Sequence, residues 1–107
     1  MWDLGTGVVL GTLESFEGRQ LFQLEAALAP FPVMCPACLV GRISGTLDDG
    51  RGAGPDFLLD GGYDGVTFGG GSGSFAVSLR TPGGRTVGEL AGRFENGAFV
   101  ARYSIRP

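Results

Sequence analysis

Two cysteines are the residues of this chain whose type and spacing most clearly allow chemistry. Cys35 and Cys38 are separated only by a proline and an alanine. Such a pair can form a disulfide, remain as two thiols, act as a redox pair, or supply half of a zinc site that a second subunit completes. We favour the disulfide, because an adjacent pair of cysteines in a small glycine-rich β-chain is typical of a bond that closes a loop. The redox pair is disfavoured, because redox pairs of this spacing precede a helix N-terminus, whereas residues 39–43 continue as a predicted strand. A disulfide indicates an oxidising compartment, so we expect an extracytoplasmic protein (secreted, periplasmic or at the cell surface), with the cytoplasm as the alternative.

Five aspartates form a second group of side chains with possible chemistry. Glycine-containing loops rich in carboxylate oxygens can bind calcium, but the spacing here departs from the EF-hand loop and from the Gly-Gly-x-Gly-x-Asp repeat. Aspartate is also favoured in turns, where its side chain accepts hydrogen bonds from nearby backbone N–H groups. We therefore predict turn residues, with no metal and no cofactor, at Asp48, Asp49, Asp56, Asp60 and Asp64.

The amino acids that the chain lacks bear on catalysis. It has no histidine, and its eight basic residues are all arginine. A Ser-His-Asp or Ser-Lys nucleophile therefore cannot form within this chain. The glycine run from Gly69 to Gly73 superficially resembles a phosphate-binding loop, but no lysine and no predicted helix follow it. We predict a protein that is not an enzyme and has no catalytic residues.

Charge and hydropathy narrow the possible partners. The formal net charge is −3, which argues against non-specific binding to nucleic acid because that binding depends on a basic surface. No apolar run is long enough to predict a transmembrane helix. We expect the partner to be another protein or a second copy of this chain.

A repeated pattern of glycines and apolar residues predicts the architecture. Gly-x-apolar-x-Gly-x-apolar followed by an acid begins at Gly7, at Gly41 and at Gly88. Successive side chains of a strand point to opposite faces, so the glycines and apolar residues of each copy share one face. The pattern predicts a β-structure built from similar hairpins.

The clearest single hairpin is at the C-terminus, where Asn96-Gly97 separates two alternating runs. This dipeptide favours a type I′ turn, in which both central residues have positive φ. In that register four pairs face each other on one side of the hairpin: Phe94 with Phe99, Gly92 with Ala101, Leu90 with Tyr103, and Gly88 with Ile105.

The middle of the chain gives weaker signals. Residues 19–29 alternate as a strand does but also fit helical spacing, and we choose the strand because it follows the rhythm of hairpins. Asp56 to Asp60 is the expected partner strand of the second pattern. We expect a turn from Asp60 to Gly65, a short strand from Val66 to Phe68, and a flexible loop over Gly69 to Gly73.

These elements predict a single all-β domain over residues 1–107. About four hairpins in an antiparallel meander give eight strands, which can close into a small barrel and so remove exposed edges. A two-sheet β-sandwich is the alternative. The strand count resembles that of avidin-like or lipocalin-like barrels, and the hairpins are similar to barrel domains of bacterial surface lipoproteins, but none of the motifs that define those families is present.

Two functions fit such a domain. The first is a non-catalytic domain that acts through protein contact or assembly, at an apolar loop whose prolines cannot donate to a strand ladder. The alternative for this loop is that it packs over the mouth of the barrel. The candidate contact residues are Pro30, Phe31, Pro32, Val33 and Met34, with Trp2 as a further surface aromatic. The alternative function is a carrier that binds a small apolar ligand inside the barrel, against Leu90, Phe94, Phe99 and Tyr103.

Overall fold

The fold is one antiparallel sheet of eight strands that follow each other in sequence order. A computed structural model of the chain describes residues 1–14, 21–32, 34–48 and 56–105. Within these ranges, a single 3-10 turn at Phe68–Gly70 lies between the fifth and sixth strands. The strands are β1 (Trp2–Asp3), β2 (Val8–Glu14), β3 (Leu21–Pro30), β4 (Cys38–Asp48), β5 (Phe57–Val66), β6 (Ser72–Arg80), β7 (Thr86–Glu95) and β8 (Ala98–Ile105).

The sheet curls into a nearly closed barrel. Its first strand meets the far end of the sheet, where the backbone N–H of Trp2 donates to the carbonyl oxygen of Gly97 at 2.9 Å. The predicted eight-stranded barrel is confirmed, and the sandwich alternative is wrong because one continuous sheet supplies all the strands.

The inward face carries the core, as the repeated pattern predicts. Val9, Ile43 and Leu47, from the first two copies, are at most 3% exposed, and Leu90 and Phe94 of the third copy are equally buried. The glycines of the pattern allow close approach between strands. A Cβ atom on Gly45 would lie 2.2 Å from the carbonyl oxygen of Glu25, so a side chain there would force the neighbouring strand away.

Both local predictions for the first and last hairpins are confirmed. Residues 21–29 form strand β3, which pairs with β2 and β4, and its inward row is buried. At the C-terminus Asn96 has φ 46° and Gly97 has φ 86°, as a type I′ turn requires. The four predicted cross-strand pairs between β7 and β8 all occur.

The predicted turn from Asp60 to Gly65 is wrong, because these residues continue strand β5. They pair with β4 on one side and with β6 on the other. Gly61 and Gly65 allow β5 and β6 to approach each other closely, since a Cβ atom on either glycine would lie 2.1 Å from a carbonyl oxygen of β6. The expected short strand at Val66–Phe68 is wrong for the same reason: Val66 ends β5, and Phe68 begins the 3-10 turn. The count of eight strands still holds because β1 adds a strand that we did not predict.

Two further expectations need correction in this region. The glycine loop is shorter than expected, because strand β6 already begins at Ser72. Asp48, Asp60 and Asp64 are strand residues and not turn residues. The Asp60 carboxylate forms an ion pair with Arg42 across β4 and β5 at 2.8 Å. Asp49 lies outside the described residues.

Candidate contact surface

Four connections lie together at one end of the barrel, because successive strands of a meander run in opposite directions. They are the β1–β2, β3–β4, β5–β6 and β7–β8 connections. We call this end of the barrel the contact end. The predicted contact residues belong to its β3–β4 loop.

The backbone of the β3–β4 loop is tied to its neighbours. The Phe31 N–H donates to the carbonyl oxygen of Val40 at 2.8 Å, and the Thr67 N–H donates to that of Ala37 at 2.9 Å. Cys35 and Cys38 form the predicted disulfide, with their Cα atoms 5.3 Å apart. The loop is therefore held at its start, at its end and against the β5–β6 connection.

The side chains of this loop point into solvent although they are apolar. Met34 is fully exposed, Phe31 is 47% exposed, and Pro30 and Pro32 are exposed as well. Phe68, in the adjoining β5–β6 connection, is 70% exposed. Val33 lies outside the described residues. Phe68 was not among the predicted contact residues, since its only signal in the sequence is its place beside the glycine run.

Other side chains close the mouth of the barrel at this end. Leu4 and Leu39 are partly buried against the core. A Cβ atom on Gly71 would lie 2.5 Å from Cδ1 of Leu4 and 3.5 Å from Cδ1 of Leu39, so both leucines reach the backbone of the β5–β6 connection. Phe31 and Met34 are therefore not needed to seal the interior.

The contact end combines these apolar side chains with a low density of charge. No charged residue occurs between Glu25 and Arg42, or between Asp64 and Arg80. Asp3 carries a charge at the start of the β1–β2 connection. The backbone N–H and hydroxyl of Thr6, together with the Gly5 N–H, lower the pKa of Asp3. The surface is thus apolar over two connections, with an ionised carboxylate on a third.

The candidate ligand-facing residues come together on the inside of the β7–β8 hairpin. Leu90 and Phe94 are buried, whereas Phe99 and Tyr103 on the outer strand are half-buried. Aromatic rings occupy the interior beside them: Trp2 stacks on Phe94 with ring centroids 4.3 Å apart and touches Tyr63 edge-on at 6.0 Å.

The predicted surface position of Trp2 is wrong. We expected it on the recognition surface, but it is only 3% exposed. Its backbone belongs to β1, which places the indole on the inward face of the barrel opposite Val9. The sequence pattern near the N-terminus was too short to show this face.

One hollow of about 730 Å³ is bounded by β6, β7 and β8. Its lining includes the inward-facing Phe94 and Phe99 as well as Ser72, Arg93, Glu95, Asn96 and Val100. Over the described ranges, no three histidine, cysteine, aspartate or glutamate residues are grouped to hold a metal ion. In the same ranges we find no helix of the length and hydropathy needed to cross a membrane.

Comparison with protein-family models, with curated proteins and with solved structures finds no match to this chain. The geometry of the barrel and its surfaces is therefore the basis for assigning a function.

Proposed function

We propose that this protein is a non-catalytic β-barrel domain that acts through a protein contact at the contact end, made by the loop from Pro30 to Cys38 and by Phe68. The observation that carries the proposal is that Phe31, Met34 and Phe68 are exposed while Leu4 and Leu39 close the barrel mouth. Exposed apolar side chains on a fixed backbone are typical of surfaces that bind a partner. The partner is another protein or a second copy of this chain.

We also propose that the protein works outside the cytoplasm, at the cell surface, in the periplasm or after secretion. The Cys35–Cys38 disulfide supports this location, because reducing compartments keep such thiols free. Protein isolated from its source without reductant should take up no alkyl group at either cysteine after denaturation. Two alkyl groups in the intact mass would argue for the cytoplasm.

A carrier of small apolar ligands has less support. Its site would be the barrel interior, where Trp2, Tyr63, Phe75 and Phe94 pack against each other and are at most 6% exposed. A carrier needs an internal cavity of about a few hundred Å³, whereas these four rings occupy the part of the barrel interior around Trp2.

Site-specific photocrosslinking tests the contact. Met34→p-benzoylphenylalanine, made in the cells that encode this protein, should give a discrete crosslinked product because Met34 is fully exposed at the centre of the proposed surface. Arg85→p-benzoylphenylalanine is the matched control, since Arg85 is exposed in the β6–β7 connection at the opposite end of the barrel.

The proposal predicts a product from position 34 that the additional change Phe68→Ser weakens, and no product from position 85. Mass spectrometry then tells a partner protein from a second copy. Products of equal yield from both positions, or a product from position 34 that contains only lipid, would contradict a protein contact at this end.

A further inference from the structure

The barrel wall is open between β2 and β8. The ladder between β1 and β2 comprises only Val8 and Val9 of β2. Met1 and Leu10 add two bonds, one from the Leu10 N–H to the carbonyl oxygen of Met1 at 2.9 Å and one from the Met1 ammonium group to the carbonyl oxygen of Leu10. Beyond that point, within the described ranges, no ladder joins β2 to β8. The opening, which we call the seam, is a groove of about 420 Å³ lined by Met1, Gly11, Thr12, Phe99, Val100, Ala101 and Tyr103.

Both edges of the seam present backbone groups that point into it. In an antiparallel pair, alternate residues bond to one neighbour and the residues between them point the other way. Glu95 and Ala98 flank the two-residue turn, so Phe99, Ala101 and Tyr103 direct their N–H and C=O groups away from β7. On β2 the Leu10 N–H points toward Met1, on the side of β1, so by the same alternation the N–H and C=O groups of Thr12 point into the seam.

The backbone N–H and C=O groups of the two edges alternate in such a way that one inserted strand could bond to both. The Trp2 N–H bonds to Gly97, so a strand in line with β1 would next face Gly11 and Phe99, then Thr12 and Val100. Its own backbone groups would point alternately to β8 and to β2. They would therefore reach Phe99, then Thr12, then Ala101, which are the residues whose groups are directed into the seam.

The apolar side chains along the seam are also less buried than those on the neighbouring strand. On the inward row, Phe99, Ala101 and Tyr103 are half-buried, whereas Leu90 and Phe94 on the neighbouring strand are at most 2% exposed. On the outward row, Met1, Leu10 and Val100 are exposed apolar side chains. A strand in the seam would cover apolar surface on both faces of the sheet.

We propose that the seam binds one extended segment of another protein, which adds to the sheet as a strand antiparallel to β2 and β8. Its residue nearest Met1 is small, because the Phe99 ring already lies 2.6 Å from where a Cβ atom on Gly11 would be. The next residues are a β-branched one beside Val100, a large apolar one beside Ala101, and an uncharged polar one between Arg102 of β8 and Glu14 of β2. Direct pairing of two β8 strands in a dimer would fill only one edge, so the matching alternation of both edges favours a single inserted strand.

This site is separate from the contact end, and a peptide tests it directly. The probe is a blocked peptide, Val-Thr-Ile-Gln-Leu-Val-Gly, whose residues face Ile105 back to Phe99 in the proposed register. At about 1 mM peptide, amide hydrogen exchange followed by NMR should slow about tenfold at Thr12, Phe99, Ala101 and Tyr103. The matched control is the same peptide methylated at the backbone nitrogen of leucine, which removes the hydrogen bond to β8 and should abolish the protection.

A protein variant gives a second readout without disturbing the core. Val100→Asp changes an exposed side chain of β8 and should weaken peptide binding about tenfold, because a charge would be buried beside the peptide's valine. Three outcomes would overturn the proposal: no slowing at these amides, equal slowing by the methylated peptide, or slow exchange that depends on protein concentration without peptide, which would assign the seam to a second copy. None of these outcomes bears on the crosslink expected at Met34.

Discussion

Tyr63 connects the packing of the barrel to the ionisation of a single side chain. It faces Gly41 in the β4–β5 ladder, and the absent side chain makes room for it, since a Cβ atom on Gly41 would lie 2.6 Å from the phenol oxygen. The ring also packs edge-on against Trp2 and Phe94. It is only 5% exposed, and this burial raises the pKa of the Tyr63 phenol above its ordinary value of about 10.

The titration of Tyr63 is therefore predicted to run later than that of an exposed tyrosine. In a Tyr103→Phe variant Tyr63 is the sole tyrosine, and its tyrosinate absorbance should reach its midpoint above pH 10. The folded state binds this proton more tightly than the unfolded state, so the stabilisation is complete below about pH 10 and is lost as pH rises through the folded-state pKa. A midpoint at or below that of the urea-unfolded protein would contradict the burial of the phenol.

The β7–β8 hairpin is the element whose register the local sequence specifies most completely. Asn96 and Gly97 both have positive φ, and Gly97 has no atom closer than 3.9 Å to the position of an added Cβ. The need for glycine at this position is therefore conformational and not steric. The turn also contributes to barrel closure through the carbonyl oxygen that Trp2 contacts.

Gly97→Val should lower the free energy of unfolding by about 1–3 kcal/mol, because a β-branched residue is strained at positive φ. The measurement is a pair of thermal melts. Gly83→Val is the matched control, since Gly83 is an exposed turn glycine outside the positive-φ set, and an added Cβ there would lie at an ordinary contact distance, 3.8 Å, from Oγ1 of Thr81. Equal melting temperatures for the two variants would show that the strain at Gly97 is not what defines this turn.

At the scale of the whole molecule, closure of the barrel depends on a residue next to the N-terminus. Trp2 packs against Phe75, Phe94 and Phe99 from three different strands, and its backbone bonds to the β7–β8 turn. Its indole Nε1 is buried and has no hydrogen-bond partner in the described part of the chain. Burial of ring surface must therefore offset the cost of that donor.

Trp2→Ala should destabilise the barrel by about 3–5 kcal/mol, the range found when a buried aromatic side chain is truncated. Urea unfolding followed by far-ultraviolet circular dichroism measures this loss. Phe68→Ala removes an aromatic ring that is 70% exposed and should change stability by less than about 1 kcal/mol. If both variants lose the same free energy, Trp2 does not close the core in the way described.

The local sequence determined those features whose causes lie within one or two neighbouring strands. Alternation fixed which residues of β3 and β6 to β8 face inward, because the strand period is two and only one face is apolar. Asn96-Gly97 fixed the register of the last hairpin, and the short spacing of Cys35 and Cys38 favoured their disulfide. The end of β3 at Pro30 was also foreseeable, since Pro32 cannot donate to a strand ladder, but the exposure of Phe31 and Met34 was not, because such a loop can equally pack over the barrel mouth.

The tertiary structure decided what depends on approach between distant parts of the chain. Asp60-Gly61-Gly62 is typical of a turn locally, but neighbouring strands come so close that glycine is needed there within a strand. Trp2 is buried, and the seam is left open, because a two-residue strand meets β8 only at the end of the barrel. A sequence pattern specifies faces and turns, whereas closure of a curled sheet is set by which distant edges meet, and local propensities do not contain that information.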